Sequence, residues 1–300
     1  MPSIRSNNAT LIWALTTVIG IGLLVTPFAN GVRMPLIVLQ VVFALVHGAR
    51  CYGWPAIAVF IVGGLLISNI LENLSIATGF PFGNYHYTGS GKIFDVPWFI
   101  GPAYLATGYL AWVVATVLLG DVHRKSSWLT TIGTPLIAAF TMTMWDLSLD
   151  PTASTINQNW VWEDGGGFFG VPLGNFLGWT FTVYLFIQLF ALYVRFRGQL
   201  PDAGTGRGLG SALQGTILYG LTAVGFFFDY SRNDHTQVTD ALGNVWRTAD
   251  IYETSALVTV YGMFFVALLA VLRIAQQHTA APSLPTSAKA TKPNQVKTSA

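Results

Sequence analysis

The stretch TMTMWDLSLDPTASTINQNWVWEDGGGFFGVPLGNFLGW, residues 141–179, decides how the chain is read. It opens inside an apolar run long enough to cross a bilayer, yet that run carries two carboxylates, Asp146 and Asp150. Four residues apart, they share one face of a helix and sit a turn from each other. Pro151 is expected to end that helix, because proline pushes the residue before it away from α geometry. A loop rich in Trp, Gly and acid follows, and a new apolar run begins at Val171. An Asp at mid-bilayer costs about 2.5–3.5 kcal/mol on insertion scales. Two in one segment mark a functional site by default, and other groups in the chain should converge on them.

Across 300 residues, hydrophobic side chains make up 52% and charged ones only 9%. Apolar runs cover residues 10–28, 34–49, 54–71, 97–119, 128–149, 171–194, 209–228 and 252–272. The expected fold is all-α, a polytopic integral membrane helical bundle of about eight transmembrane helices, or seven if the short run 34–49 does not cross fully. The first run is longer than a signal-peptide core and no cleavage site follows, so it reads as a retained helix. Residues 1–277 are expected to form the transmembrane domain, and 278–300, rich in Ala, Pro, Ser, Thr and Lys, a disordered tail.

The charges sort by side. With eight spans and both termini inside, the inner segments hold 11 of the 15 basic residues, leaving Arg33, Lys92, Arg232 and Arg247 outside. The same topology puts 11 of the 13 acids at or toward the outer side, all except Asp121 and Asp202. In a bacterial plasma membrane the acid-rich face would then be non-cytoplasmic. The single cysteine excludes an internal disulfide and a thiolate cluster. No two of the five histidines have the spacing that places imidazoles on one helical face, which argues against a histidine-rich di-iron centre. GFPFGNY (79–85) and GVPLGNF (170–176) echo each other, and each begins seven residues after an acid, Glu72 or Glu163. A duplication would place the site at the repeat interface, but Gly and Pro are common at span ends and the flanks do not match.

Span ends deliver Glu72, Asp146, Asp150, Asp229 and Glu253 to one level, among Phe80, Phe82, Tyr85, His86, Tyr87, Trp98, Trp145, Trp160, Trp162 and Trp179. An interfacial aromatic belt with solvated acids accounts for many of these residues. It fits Asp146 poorly, since that residue lies about 6 Å deeper than Asp150. Pairing with Arg, or capping a broken helix, are the structural roles left for the pair. Two neighbouring carboxylates in a poorly hydrated site cannot both ionise cheaply, so one is expected to hold a proton beside an ionised partner. A general acid beside a base, among π-faces that stabilise a cation, can protonate an alkene and let water trap the carbocation. That chemistry calls for no cofactor and no metal.

Four segments carry a resemblance: ENLSIATGFPFGNYHYT (72–88), WDLSLDP (145–151), NWVWE (159–163) and FFGVPLGNFLGW (168–179). In order and spacing they resemble the membrane carotenoid hydratase family, the CruF type, which includes γ-carotene 1'-hydratases and bisanhydrobacterioruberin hydratases. The resemblance implies a hydro-lyase that adds water across the terminal C1=C2 bond of an acyclic (ψ) carotenoid end, such as that of γ-carotene or lycopene, giving a tertiary alcohol. Residue roles follow from the acids themselves. Asp146, the deeper, is the expected proton donor, and Asp150 with Glu72 or Glu163 would orient and deprotonate water. Phe80, Phe82, Tyr85, His86, Tyr87, Trp145, Trp160, Trp162 and Asn175 are the expected substrate contacts. The expected partners are a carotenoid drawn from the bilayer, water, membrane lipid and neighbouring carotenoid-pathway enzymes, with no nucleic acid.

Two other readings use the same acids. DLSLD resembles the DxxxD that holds Mg²⁺ and diphosphate in membrane prenyltransferases, and NILE (69–72) faintly resembles its partner motif. Diphosphate also needs clustered Lys and Arg, which the acid-rich face lacks. A proton-coupled or carotenoid-binding membrane protein would also carry buried acids, but along a path across the bilayer rather than at one side.

Overall fold

The structure is a computed structural model and describes residues 4–29, 33–197, 208–232 and 235–280. The helices are α1 (Ile4–Val25), α2 (Arg33–Tyr52), α3 (Trp54–Thr78), α4 (Ile100–Leu119), α5 (Trp128–Asp150), α6 (Leu173–Arg197), α7 (Leu209–Asp229), α8 (Thr248–Val258) and α9 (Phe265–Ala280). A π-helical turn, Thr259–Phe264, joins α8 to α9, so eight long helices stand in the bundle among the described residues. Six are long and apolar enough to cross a membrane: α2, α3, α4, α6, α7 and the continuous Thr248–Thr279. The chain is an all-α polytopic membrane protein. Its outward faces carry Val62, Leu66 and Ile70 on α3, Leu177, Leu185 and Leu189 on α6, and Leu268 and Leu272 on α9, all exposed. Apolar surface in continuous stripes of this kind needs lipid, not water, as its solvent.

α4 is the central helix. In its apolar window 72% of residues are buried, against 33–44% in the other five spans, and it packs on α2, α3, α5, α7 and α9. α6 closes one side against α3 and α5, and α1 closes the other against α2 and α7. Successive helices alternate in direction. The C-terminal ends of α3, α5 and α7 therefore share one end of the bundle with the N-terminal ends of α2, α4, α6 and α8.

Three two-stranded antiparallel ribbons accompany the helices: β1 (Tyr85–Tyr87) with β4 (Trp160–Trp162), β2 (Lys92–Ile93) with β3 (Val96–Pro97), and β5 (Gln237–Thr239) with β6 (Val245–Arg247). The first pairs Tyr85 with Trp162, His86 with Val161 and Tyr87 with Trp160.

Three local expectations are corrected. The third helix does not stop at Glu72. It runs to Thr78, where Gly79 takes a left-handed conformation (φ 80°) and its N–H caps Ser75 O at 2.7 Å. Glu72 thus lies six residues, about 9 Å, inside a span. Pro151 does not end α5 either. Asp150 stays in right-handed α geometry, and the chain continues through a π-helical turn, Pro151–Ile156. The wider turn tolerates the missing proline N–H, and Asn157 N bonds back five residues to Thr152 O at 3.0 Å. Finally, α9 carries on past His278 to Ala280, and the rest of the expected tail lies outside the described residues.

The echo between GFPFGNY and GVPLGNF does not extend to structure. The first follows a helix and leads into β1, whereas the second opens α6. The two pack on each other instead. A Cβ at Gly178 would lie 2.8 Å from Pro81 O and 2.6 Å from the Phe82 ring, so glycine lets the turn after α3 sit directly on α6.

Candidate active site

The acid end of the bundle holds two linked clusters. The first is Glu72, 3% exposed. Three phenols converge on it from different elements: Tyr87 donates to Oε2 at 3.0 Å, Tyr104 to Oε1 at 2.8 Å, and Tyr85 also to Oε2. Tyr104 comes from the centre of the bundle on α4, while the other two come from β1. β1 delivers both because side chains alternate along a strand, so Tyr85 and Tyr87 point inward and His86 outward. Burial, and then the charge of Glu72, push the Tyr85 and Tyr87 phenols well above their ordinary pKa. Both therefore remain O–H donors at any working pH.

The second cluster is Asp146, Asp150 and Asn175, each 1% exposed. The single amide nitrogen of Asn175 donates to Asp146 Oδ2 at 2.8 Å and to Asp150 Oδ2 at 2.6 Å, so both hydrogens of one NH₂ group bridge the two acids. Asp150 Oδ1 also accepts from the indoles of Trp160 at 2.9 Å and Trp162 at 3.4 Å. The π-helical turn after Asp150 brings the chain round so that β4 folds back over the carboxylate it has just left.

Both clusters line one cavity of about 220 Å³. Phe82, Tyr85, Tyr87, Trp145, Trp160, Trp162, Asn175 and Trp179 stand in its wall with Glu72, Asp146 and Asp150. Trp179 stacks on Tyr104 at 4.3 Å with the rings 5° from parallel, and Trp145 leans on Trp179 at 5.8 Å. The far wall is mostly apolar and comes from α1, α2 and α7: Leu23, Leu36, Ile37 and Phe226, with Thr26, Gln40, Thr222 and Asp229 as polar exceptions. Among the described residues, no Lys or Arg lines the cavity.

Other residues singled out in the sequence lie elsewhere. Glu163 and His86 face away from the cavity, their side chains 55% and 53% exposed, and pair with each other at 3.1 Å. Glu163 follows Trp162 by one position, and strand alternation turns it outward. Phe80, Trp98 and Glu253 are exposed and do not line the cavity. Tyr104 and Gln40 escape a reading from sequence, each being one polar group inside an apolar run. For Tyr104 the available signal is a phenol near the start of an apolar span.

Chemically, this is a largely apolar, π-lined chamber whose wall holds four carboxylates, and three of them, Glu72, Asp146 and Asp150, accept hydrogen bonds from neutral donors. It suits a hydrocarbon ligand that becomes positively charged during reaction. No curated protein and no solved structure matches the chain. A family model described as carotenoid biosynthesis protein matches residues 32–224, a segment from just before α2 into α7 that includes Glu72, Tyr104, Asp146, Asp150 and Asn175. The chain belongs to the carotenoid biosynthesis protein family, and its role is in carotenoid biosynthesis in a membrane.

Proposed function

We propose that the protein is a carotenoid hydratase, adding water across the terminal C1=C2 bond of an acyclic ψ end such as that of lycopene or γ-carotene. The observation that carries this reading is the burial of Glu72, Asp146 and Asp150 in one aromatic cavity without a cationic side chain in its wall. A diphosphate substrate would want Lys or Arg there, which weighs against prenyl transfer.

Donor bookkeeping divides the roles. Asp150 receives three N–H groups, none able to accept a proton, and so acts as a carboxylate. Glu72 receives three phenol O–H groups and acts as a second carboxylate. Asp146 receives one N–H on Oδ2 and none on Oδ1 among the described hydrogen bonds, so it is the group that carries the proton. Its O–H protonates C2, the less substituted alkene carbon, because the positive charge then rests on the tertiary C1. The two fixed carboxylates and the indole and phenol faces stabilise that charge as it forms, and water adds to C1. An unassisted carboxylic acid is a weak donor to an alkene, so most of the barrier lowering falls to this preorganised field.

A wholly apolar substrate reaches the chamber sideways from the bilayer, and the acid-rich end of the bundle faces the non-cytoplasmic side. Expression in a lycopene- or γ-carotene-producing host tests the reading. A new pigment heavier by one water, its oxygen drawn from H₂¹⁸O, is expected; unchanged pigment, or oxygen drawn from O₂, would refute it.

A further inference from the structure

We propose that Gln40, with Thr107 and Thr222, forms a water station in the cavity wall opposite Asp146, and that the water held there is the one added to the alkene. This rests on the hydratase reading. Gln40 lines the cavity at 6% exposure, and its amide makes no hydrogen bond among the described residues. A buried amide is left unbonded only at a cost, and a hydrocarbon substrate gives it nothing to bond. Water does.

The surroundings fit. Thr107 and Thr222 line the same cavity, and their hydroxyl hydrogens are committed within their own helices, to Ala103 O at 2.7 Å and Leu218 O at 2.9 Å. Each hydroxyl oxygen therefore keeps lone pairs to accept from a guest. Gln40, Thr107 and Thr222 stand seven residues from Arg33, Ile100 and Asp229, the ends of their helices at the acid end. Each therefore lies two turns, about 10 Å, in from the end of its helix. The three come from α2, α4 and α7, with α4 packed on both of the others, whereas Asp146 and Asn175 come from α5 and α6. A buried water needs two to four polar partners. One amide and two hydroxyls supply them.

The step balances. Asp146 gives its proton to C2, and the π pair becomes the new C–H bond, leaving C1 cationic. A lone pair of the Gln40-bound water forms the C1–O bond. The surplus proton of the resulting oxonium passes to the carboxylate of Asp150 or Glu72 and from there restores Asp146. Without the stationed water, the cation can only lose a proton and return to alkene.

Gln40 is thus a positioning residue, and the partition of the cation reads its role. Wild type, Gln40→Met and Thr107→Val are compared in D₂O with lycopene as substrate, following deuterium in recovered alkene against alcohol formed. In Gln40→Met the ratio of exchange to hydration is expected to rise about tenfold, the worth of one lost hydrogen bond, while total cation formation stays within a few-fold. Thr107→Val should move the ratio the same way by less. Gln40→Met removes an unbonded buried amide without changing side-chain length, so the fold should hold, and Gln40→Asn should give an intermediate ratio. A wild-type ratio in Gln40→Met, or exchange and hydration falling together, would overturn the station and leave the hydratase reading intact. Wild-type protein giving neither exchange nor alcohol would refute the hydratase reading itself.

Discussion

Asn175→Leu should be the most damaging neutral substitution in the acid centre. The change keeps the side chain's size and removes one NH₂ group, but that group is bonded to Asp146 at 2.8 Å and Asp150 at 2.6 Å. A hydrogen bond to a charged acceptor is worth about 1.5–3 kcal/mol and one to a neutral acceptor about 0.5–1.5 kcal/mol. With Asp150 ionised and Asp146 protonated, the loss is about 2–4.5 kcal/mol of stability, and the two acids face each other without the bridge. Thermal inactivation of the detergent-solubilised protein would register the loss, and turnover should fall at least a hundredfold as the acids leave their positions. Adding Asp150→Asn should recover part of the stability but none of the turnover, because no buried charge is then left short of a donor. An Asn175→Leu protein within about 0.5 kcal/mol of wild type, still turning over, would refute the bridge.

Tyr104→Phe removes one of the three phenols on Glu72 and should cost about 1.5–3 kcal/mol, with activity reduced about tenfold rather than abolished, as shown by thermal inactivation and steady-state turnover. Gly178→Ala drives a Cβ into Pro81 O and the Phe82 ring, and should cost about 1–3 kcal/mol by the same assay, whereas Gly89→Ala, with nothing within 4 Å, should be silent. Glu163→Gln and His86→Ala break only an exposed pair, so each should change stability by less than about 1 kcal/mol and leave turnover unaltered.

Hydropathy made the bundle legible, because lipid-facing helices must be apolar over their whole length and so announce themselves. The pairing of Asp146 with Asp150 was equally open, since i,i+4 spacing needs only helical geometry. Glu72 was found but placed too shallow. The polar run Glu72–Asn73 looks like a span end, yet Asn73 satisfies its own amide on Asn69 O at 2.7 Å and the helix continues. YHY and WVWE carry the period-2 signal that sends Tyr85, Tyr87, Trp160 and Trp162 inward and His86 and Glu163 outward. That signal cannot be read until the two segments are known to be paired strands, and Val161, the ribbon partner of His86, lies 75 positions further along the chain. Pro151 misled because the bias before proline is a preference and not a bar: Asp150 keeps α geometry, and the π turn that follows accommodates the missing proline N–H. Tyr104 and Gln40 matter through what lies across the chamber from them, which is tertiary information.

The most direct test of an acid-driven hydration is to compare wild type with Asp146→Asn in lycopene-producing cells, measuring hydroxylated pigment against the amount of protein in the membrane. The carboxamide keeps the shape of Asp146 and its place beside Asn175 but has no acidic proton to give. Asp146→Asn protein that accumulates normally yet forms less than about one part in a hundred of the wild-type alcohol is the predicted result, in line with loss of a general acid. Alcohol formed within a few-fold of the wild-type amount would contradict the role of Asp146 and, with it, the account of how this cavity works.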